Sequence, residues 1–373
     1  MSPSVRVIPA DTRRDLNRFI DFPWEIYRDD PHWVPPLKRD MRVAFDREKH
    51  PFHRHSEAQP FLALRDDRVV GRICAIRNRR HEEFHDEPVG FFGFFESLDD
   101  PGVAAALFDA VRVWLRERGL EVMRGPTSFS TNEVSGLLVD GEAGPPFVMM
   151  AHNPPYYAEL IEGYGFEKAK DLWAWAMDNE EPTYLERAER IVSRRNPGIT
   201  VRTLDRSRYD EELERVRAVY NEAWEKNWGF VPMSDAEIDF MADELKLVIE
   251  PRLALFMEDD EGETIGFGLA LPDFNQVLRH LDGRLFPLGL FKALRLRRKI
   301  DRMRVIILGV VPKHRGKGLD ALLYVKLFRE AADVGVTWGE MSWILEDNHA
   351  MNAAIQRFGA RLFRTYRIYD IAI

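Results

Sequence analysis

The sequence predicts a mixed α/β protein built from two similar units, each in the order β-α-β-β-β-α-β-α-β. Three observations carry that expectation. The chain has 373 residues, too many for one ordinary core at roughly 150 residues per domain. Apolar residues make up 45% and charged residues 31%, a balance that fills a core and excludes extended disorder. The second half also repeats the pattern of the first at a fixed spacing, the self-similarity of a duplicated fold.

The repeat has three anchors. VRVIPADTRRDLNRF from Val5 and VRTLDRSRYDEELERV from Val201 each read as a short strand feeding an amphipathic helix. FLALRDDRVVGRICAIRN, from Phe61 to Asn78, and LALFMEDDEGETIGFGLAL, from Leu253 to Leu271, each read as strand, charged turn, strand, with Gly71 opposite Gly266. NPPYYAELIEGYGFEKAKDLWAW from Asn153 and NHAMNAAIQRFGARLFRTYRIY from Asn348 each give a helix, a glycine cap at Gly165 or Gly359 and a closing strand. Between the second and third anchors an apolar strand precedes a long helix in both halves. In the first half VGFFGFFE leads to Asp99-Asp100-Pro101 as cap and first turn, with Val103, Leu107, Val111, Trp114 and Leu115 on one face. The charged, helical stretch after Asp178, closed by Asn196-Pro197-Gly198, reads as a connector. Expected boundaries are therefore 1–178, 179–200 and 201–373.

Composition narrows function. A formal charge of −9 and a pI near 5.7 argue against a general nucleic-acid binder, which needs clustered cations to neutralise phosphates. The single cysteine, Cys74, lies in the apolar run VVGRICAI; it excludes an internal disulfide and reads as a core residue of a reducing compartment. MSPSVRVIPADTRRDLNRF lacks an apolar signal core, and no stretch approaches the roughly 18 apolar residues of a spanning helix. A cytoplasmic protein is expected, peripheral to a membrane at most.

The segment with the clearest chemistry begins at Arg304. Val305 to Val311 is β-branched and apolar, and Pro312 ends it as a strand because proline cannot donate to a ladder. His314-Arg315-Gly316-Lys317-Gly318 follows, then a helix with Leu319, Leu322, Leu323, Leu327 and Phe328 inward. A glycine-rich turn feeding a helix N-terminus presents unpaired N–H groups and a positive dipole end to an anion, and Arg315 and Lys317 add full charges. On spacing alone a structural turn competes with this reading. In the first half the corresponding ESLDDPGV is acidic and would repel a pyrophosphate.

Strand, Pro, R-x-x-G-x-G/A and helix resembles the acetyl-CoA signature of the GNAT superfamily, with Arg315 and Gly318 at its first and fourth positions. NHAMNAAIQRFGA resembles that superfamily's second motif, in which an Asn holds the pantetheine arm; Asn348 and Asn352 are the matching residues. The chain thus resembles two tandem GNAT-like units, in outline similar to Fem-type aminoacyltransferases and N-myristoyltransferase. The insert before Arg304 and GPTSFSTNEVSG resemble a bacterial tandem-GNAT family that includes ceramide synthases, which join a long-chain acyl-CoA to a sphingoid amine. The resemblance implies an N-acyltransferase with acyl-CoA as co-substrate, an amine acceptor and no metal. Two positions depart from the pattern. Asp320 stands where Gly or Ala is usual beside the phosphates, and Ile355 stands where many members carry the Tyr that protonates the leaving thiolate. The alternatives are a non-catalytic acyl-CoA sensor and a short-chain N-acetyltransferase.

Acyl transfer needs a neutral amine, donors for the tetrahedral oxyanion and a proton for the thiolate. A strand that splays from its neighbour can supply N–H groups, and Leu308, Gly309, Val310 and Val311 are the candidates. Glu346 and Glu340 near the fifth strand, or His152 from the first half, are candidate bases, with structural or solvated roles as the alternative. Tyr366 and Tyr369 are candidate acids against a core reading. If the second half holds coenzyme A, then Asn132, Glu133, His152, Asn153 and Tyr156, in a long Gly-, Pro- and aromatic-rich insertion, are acceptor-side candidates.

Other constellations weigh less. His81-Glu82-Glu83-Phe84-His85 satisfies H-E-x-x-H, but adjoining strand patterns and Pro88 leave space for one helical turn at most, so a polar connection is expected rather than zinc. His50, His53 and His55 read as a solvated loop. RLFPLGLFKALRLRRKI, 284–300, combines Leu285, Phe286, Leu288, Leu290, Phe291, Leu294 and Leu296 with five cations after Phe291; it fits either an ordinary packing helix or contact with an anionic membrane. Oligomeric state is not legible.

Overall fold

A computed structural model describes residues 4–178, 183–224 and 227–373. In chain order the first half comprises β1 (Arg6–Pro9), α1 (Arg13–Asp21), α2 (Pro23–Ile26), α3 (Lys38–Ala44), β2 (Glu57–Arg65), β3 (Arg68–Arg77), α4 (Arg79–His85), β4 (Val89–Ser97), α5 (Pro101–Arg116), β5 (Val122–Gly125), β6 (Leu137–Gly141), α6 (Tyr157–Tyr164) and β7 (Glu167–Asp178). Helix α7 (Thr183–Arg195) follows; residues 179–182, where the expected connector begins, lie outside the described residues. The second half comprises β8 (Thr200–Thr203), α8 (Tyr209–Trp224), α9 (Asp235–Leu245), β9 (Ala254–Glu258), β10 (Thr264–Pro272), α10 (Asn275–Leu278), α11 (Gly289–Leu296), β11 (Arg302–Val310), α12 (Asp320–Asp333), β12 (Trp338–Leu345), α13 (His349–Arg357) and β13 (Arg361–Ala372). The expected order is present in both halves, with β6 added in the first.

Two compact units result. Unit 1 takes the chain through Leu172 together with Leu278–Ala293 and Arg364–Ile373; unit 2 takes Trp173–Val277 and Leu294–Phe363. In unit 1, β1-β2-β3-β4 pair antiparallel, β5 runs parallel to β4, and Tyr369–Ala372 of β13 pairs antiparallel with β5. The β2–β3 turn is made by Asp66 and Asp67, both with positive φ (49° and 60°), as a two-residue hairpin on right-twisted strands requires. Asp100 caps α5 by accepting from the N–H groups of Gly102 and Val103, and Val103, Leu107, Val111, Trp114 and Leu115 are buried as the helical spacing predicts. Each such side chain stabilises the fold by about 1.5–3 kcal/mol. Close approach to β3 requires Gly71, where a Cβ would lie 2.8 Å from Leu107 Cδ1.

The stretch 79–85 corrects an expectation. It is the seven-residue helix α4 rather than a single turn in a polar connection, capped by Asn78 and closed by Asp86 at φ 53°. Burial of His81 against Phe91, with ring centroids 4.9 Å apart, is the tertiary contact that holds it.

In unit 2 the strands β8-β9-β10-β11 pair antiparallel and β12 lies parallel to β11. Helix α12 buries Leu322, Leu323, Tyr324, Val325 and Leu327, while Phe328 is half-buried. Arg304 and Glu340, opposite each other in the β11–β12 register, are both fully buried. Ser342 links them: Arg304 Nε donates to its Oγ at 2.9 Å and that hydroxyl donates to Glu340 Oε1 at 2.7 Å.

Candidate functional site

Pairing of β11 with β12 stops at Val305 opposite Met341, although β11 continues to Val310 and β12 to Leu345. On its other side β11 stays paired with β10 as far as Val310 opposite Gly266, with a register shift near Ala270. One edge of residues 306–310 is therefore open; Val311 N donates to Ile265 O of β10 and Gly309 faces β10 with it, so the N–H groups on the open edge are those of Leu308 and Val310. Pro312 starts a short 3-10 turn, Pro312–His314, and Arg315 Nε donates to Val310 O at 2.8 Å, folding the loop back on the strand end. Gly316 and Gly318 have φ of +76° and +73°, a conformation that glycine adopts without strain. Leu319 sits at the N-cap of α12 with no side-chain cap. Among the described residues the N–H groups of Gly316, Lys317, Gly318 and Leu319 find no partner. Unpaired donors and the positive end of a fourteen-residue helix make a geometry suited to an anion.

Unit 1 has the same geometry and closes it. Pairing of β4 with β5 stops at Phe91 opposite Arg124 while β4 runs on to Ser97. Here Thr127 N donates to Phe92 O at 2.8 Å, and a Cβ on Gly93 would lie 2.2 Å from Thr127 O. The gap is filled by the chain itself. The N-terminus of α5 is likewise occupied by Asp100, whose Oδ2 also pairs with Arg65 at 2.7 Å. An anion has no place there.

The other expected residues are distributed as follows. Asn348 caps α13, accepting from Met351 N at 3.2 Å. Asn352 is buried; its amide donates to Leu345 O at 3.0 Å and accepts from Trp175 Nε1 at 2.9 Å, bracing the end of β12. Glu346 lies one residue past β12, in a turn, and is half-buried, whereas Glu340 is engaged with Arg304 through Ser342. Tyr366 is fully buried in β13. His314 follows the strand end as part of the 3-10 turn, and Val311 N donates to Ile265 O at 2.9 Å.

In unit 1, Asn153 clamps β6, accepting from Leu138 N at 2.8 Å and donating to Leu138 O at 3.1 Å. Tyr156 donates to Ser97 O at 2.8 Å; burial, then Glu96, pushes its hydroxyl up to about 12. Asn132 and Glu133 are half-buried in the turn that returns Ser135 to Thr127. His152 Nε2 lies 2.7 Å from Asp30 Oδ2. A carboxylate there selects the tautomer with Nε2–H, leaving buried Nδ1 as the basic nitrogen, without a partner among the described residues. Burial depresses the pKa of His152 and Asp30 opposes that depression, with a net lowering. Burial would raise Asp30, but hydrogen bonds from His152 and from His32 N–H outweigh it and lower the carboxyl.

Asp30 adjoins a buried network for which the sequence carries little signal: Tyr27 donates to His152 O at 3.1 Å. Tyr27 stacks on Trp33 with centroids 5.0 Å apart and donates to Glu96 Oε2 at 2.8 Å, and Tyr157 donates to the same oxygen at 2.7 Å. Arg72 NH2 approaches Glu96 Oε1 at 3.4 Å. Burial raises Glu96 despite these partners. Only the aromatic content of WEIYRDDPHW could have drawn attention to this segment. H-E-x-x-H places His81 and His85 side by side, centroids 4.4 Å apart, but among the described residues no three metal-ligating side chains converge. No helix among them is long and apolar enough to cross a membrane.

Comparison with known proteins follows the fold. No family model matches the chain. A tandem GNAT protein from the clavulanic acid biosynthesis pathway superposes with a TM-score of 0.59 at 14% identity, covering 99% of this chain and 98% of that one. A GCN5-related N-acetyltransferase from Sphaerobacter thermophilus gives 0.54 at 15% identity, covering 100% and 97%. These establish the tandem GNAT fold. Two relatives are far more similar in sequence. Protein YghO of Escherichia coli (strain K12) is 35% identical over 96% of this chain and 93% of its own length. The bacterial ceramide synthase of Caulobacter vibrioides (strain NA1000 / CB15N) is 38% identical over 98% of this chain and 97% of its own. Identity at that level across both units, joined to the fold, places the chain in the bacterial tandem-GNAT family that includes this ceramide synthase, and it is an acyltransferase.

Proposed function

We propose that the chain transfers the acyl group of a long-chain acyl-CoA to the amine of a sphingoid-like lipid base. The observation that carries the acyl-CoA assignment is the contrast between the units: unit 2 leaves open both the strand edge after Val305 and the N–H groups of Gly316 to Leu319, whereas unit 1 fills its gap with Thr127 and caps its helix with Asp100. The pyrophosphate goes to the cradle, with Lys317 nearby, and the thioester runs along β11, where the N–H groups of Leu308 and Val310 are the candidate oxyanion donors. Asn348 and Asn352 shape the turn beside the pantetheine arm. His152 Nδ1, held by Asp30, accepts the ammonium proton. The free amine then attacks the thioester carbonyl, the C–S bond breaks as the amide forms, and the proton shed by the attacking nitrogen passes to the thiolate, which leaves as coenzyme A. Acceptor binding is assigned to unit 1, with Asn132, Glu133, Asn153 and Tyr156 as its candidate residues. A lipid acceptor sets the reaction at a membrane surface, through the segment 284–300.

Thiol release tests this. Acyl-CoAs of graded chain length are offered with short amines and long-chain amino alcohols, and the amide is identified by mass spectrometry. Long-chain amide formation with stoichiometric thiol is expected. Retained acyl-CoA with no thiol released for any pair would overturn the reading, and acetyl transfer to small amines alone would replace it.

A further inference from the structure

We propose that the protrusion formed by residues 281–299 docks on an anionic phospholipid bilayer, inserting an apolar tip and seating a headgroup phosphate in a basic cavity at its root. It deepens the reading above, on which it rests for the lipid character of the acceptor. The tip is unusual. Of eleven large apolar side chains exposed among the described residues, five lie here: Phe286 (63%), Leu288 (77%), Leu290 (38%), Phe291 (74%) and Leu294 (50%). Helix α11 buries none of its residues. Clustered apolar exposure, unlike single exposed residues, marks an interaction surface.

The root, by contrast, is fixed. Trp24 Nε1 donates to Asp282 Oδ1 at 2.7 Å, Lys38 N to Gly283 O at 3.1 Å and Lys292 Nζ to His280 O at 2.6 Å. Gly283 lies so close under the indole that a Cβ would be 2.5 Å from Trp24 Cζ2. A pinned base under an exposed tip presents the apolar residues in one place.

Charge identifies the partner. Beside the tip an open cavity of about 360 Å³ is lined by Lys38, Arg39, Arg42 and Arg284 against Asp21 and Asp40. Lys38 pairs with Asp21 at 2.6 Å, while the side chains of Arg39 and Arg284 make no hydrogen bond or ion pair with a described residue. Past the tip, Arg295 lies in the last turn of α11, and Arg297, Arg298 and Lys299 form the 3-10 turn that follows it. In a chain of net charge −9, two cations without ion-pair partners thus line a cavity beside clustered apolar exposure, and apolar insertion combined with cationic flanks is what an acidic bilayer surface binds.

Flotation of the full-length protein with vesicles of phosphatidylcholine, with or without phosphatidylglycerol, tests the proposal. Binding to the mixed vesicles only, weakened by salt and indifferent to inorganic phosphate at matched concentration, is expected. Arg39→Gln with Arg284→Gln should lower that binding roughly twenty-five-fold, at about fivefold per cation, and Leu288→Ser with Phe291→Ser at least tenfold. Equal binding to neutral vesicles, no binding, competition by inorganic phosphate, or a lipid-independent dimer abolished by the Leu288/Phe291 variant would each overturn it. The wild-type lipid and salt series decides even where a variant misfolds. Thiol release in detergent, run in parallel, separates the two claims: release without flotation removes the docking alone, and flotation without release removes the transferase reading alone.

Discussion

His152 Nε2 sits 2.7 Å from Asp30 Oδ2, a pair 122 residues apart in sequence that fixes the basic nitrogen as Nδ1. Burial holds the ring neutral below the ordinary histidine value of 6.5, and Asp30 pulls its pKa back upward. The acid limb of kcat/KM is therefore expected below pH 6.5. Asp30→Asn removes the upward pull, so its acid limb should move to lower pH while kcat falls about tenfold or more, because the tautomer is no longer selected. An unchanged pH profile in Asp30→Asn, with activity lost only through instability in a melting assay, would show that the pair is structural.

Gly316, at φ +76°, has open space where a Cβ would stand. A side chain there suffers from backbone conformation and not from collision, at about 1–2 kcal/mol for an ordinary L-residue. Gly316→Val should raise the KM for acyl-CoA about tenfold with little change in Tm. Gly316→Asn, whose residue tolerates the left-handed region, should stay close to wild type. Equal KM values for both variants would remove the loop from the binding site.

What could be read from sequence depended on whether the cause was local. Pro312 ending a strand, Gly316 and Gly318 opening a loop, and the 3.6-residue spacing from Val103 to Leu115 all act within a few residues, so their elements appear as expected. The helix at 79–85 was missed because what holds it is the burial of His81 against Phe91, which no propensity encodes. Thr127 closing the gap beside Phe92, and Asp30 meeting His152, are consequences of chain return over long separations. Composition pointed to unequal halves, through ESLDDPGV against HRGKG. The reason on the strand side, a gap filled in one unit and open in the other, required coordinates.

His81 offers a stability prediction independent of catalysis. Its side chain is 2% exposed, and burial, then the neighbouring His85 and Arg124, push its pKa down to about 3. Glu87 Oε2 at 3.8 Å favours the charged ring but is itself half exposed. The unfolded chain takes up a proton near pH 6.5 that the folded chain refuses until about pH 3, so this group's stabilising contribution is complete above 6.5 and declines as pH falls. At about 1.4 kcal/mol per pH unit, the loss approaches ~3 kcal/mol near pH 4. His81→Phe, which keeps the aromatic contact with Phe91 and cannot titrate, should therefore lose less stability than wild type between pH 6.5 and 4. Denaturant midpoints across that range measure the difference, and parallel curves for the two proteins would mean that His81 gains its proton without opening α4.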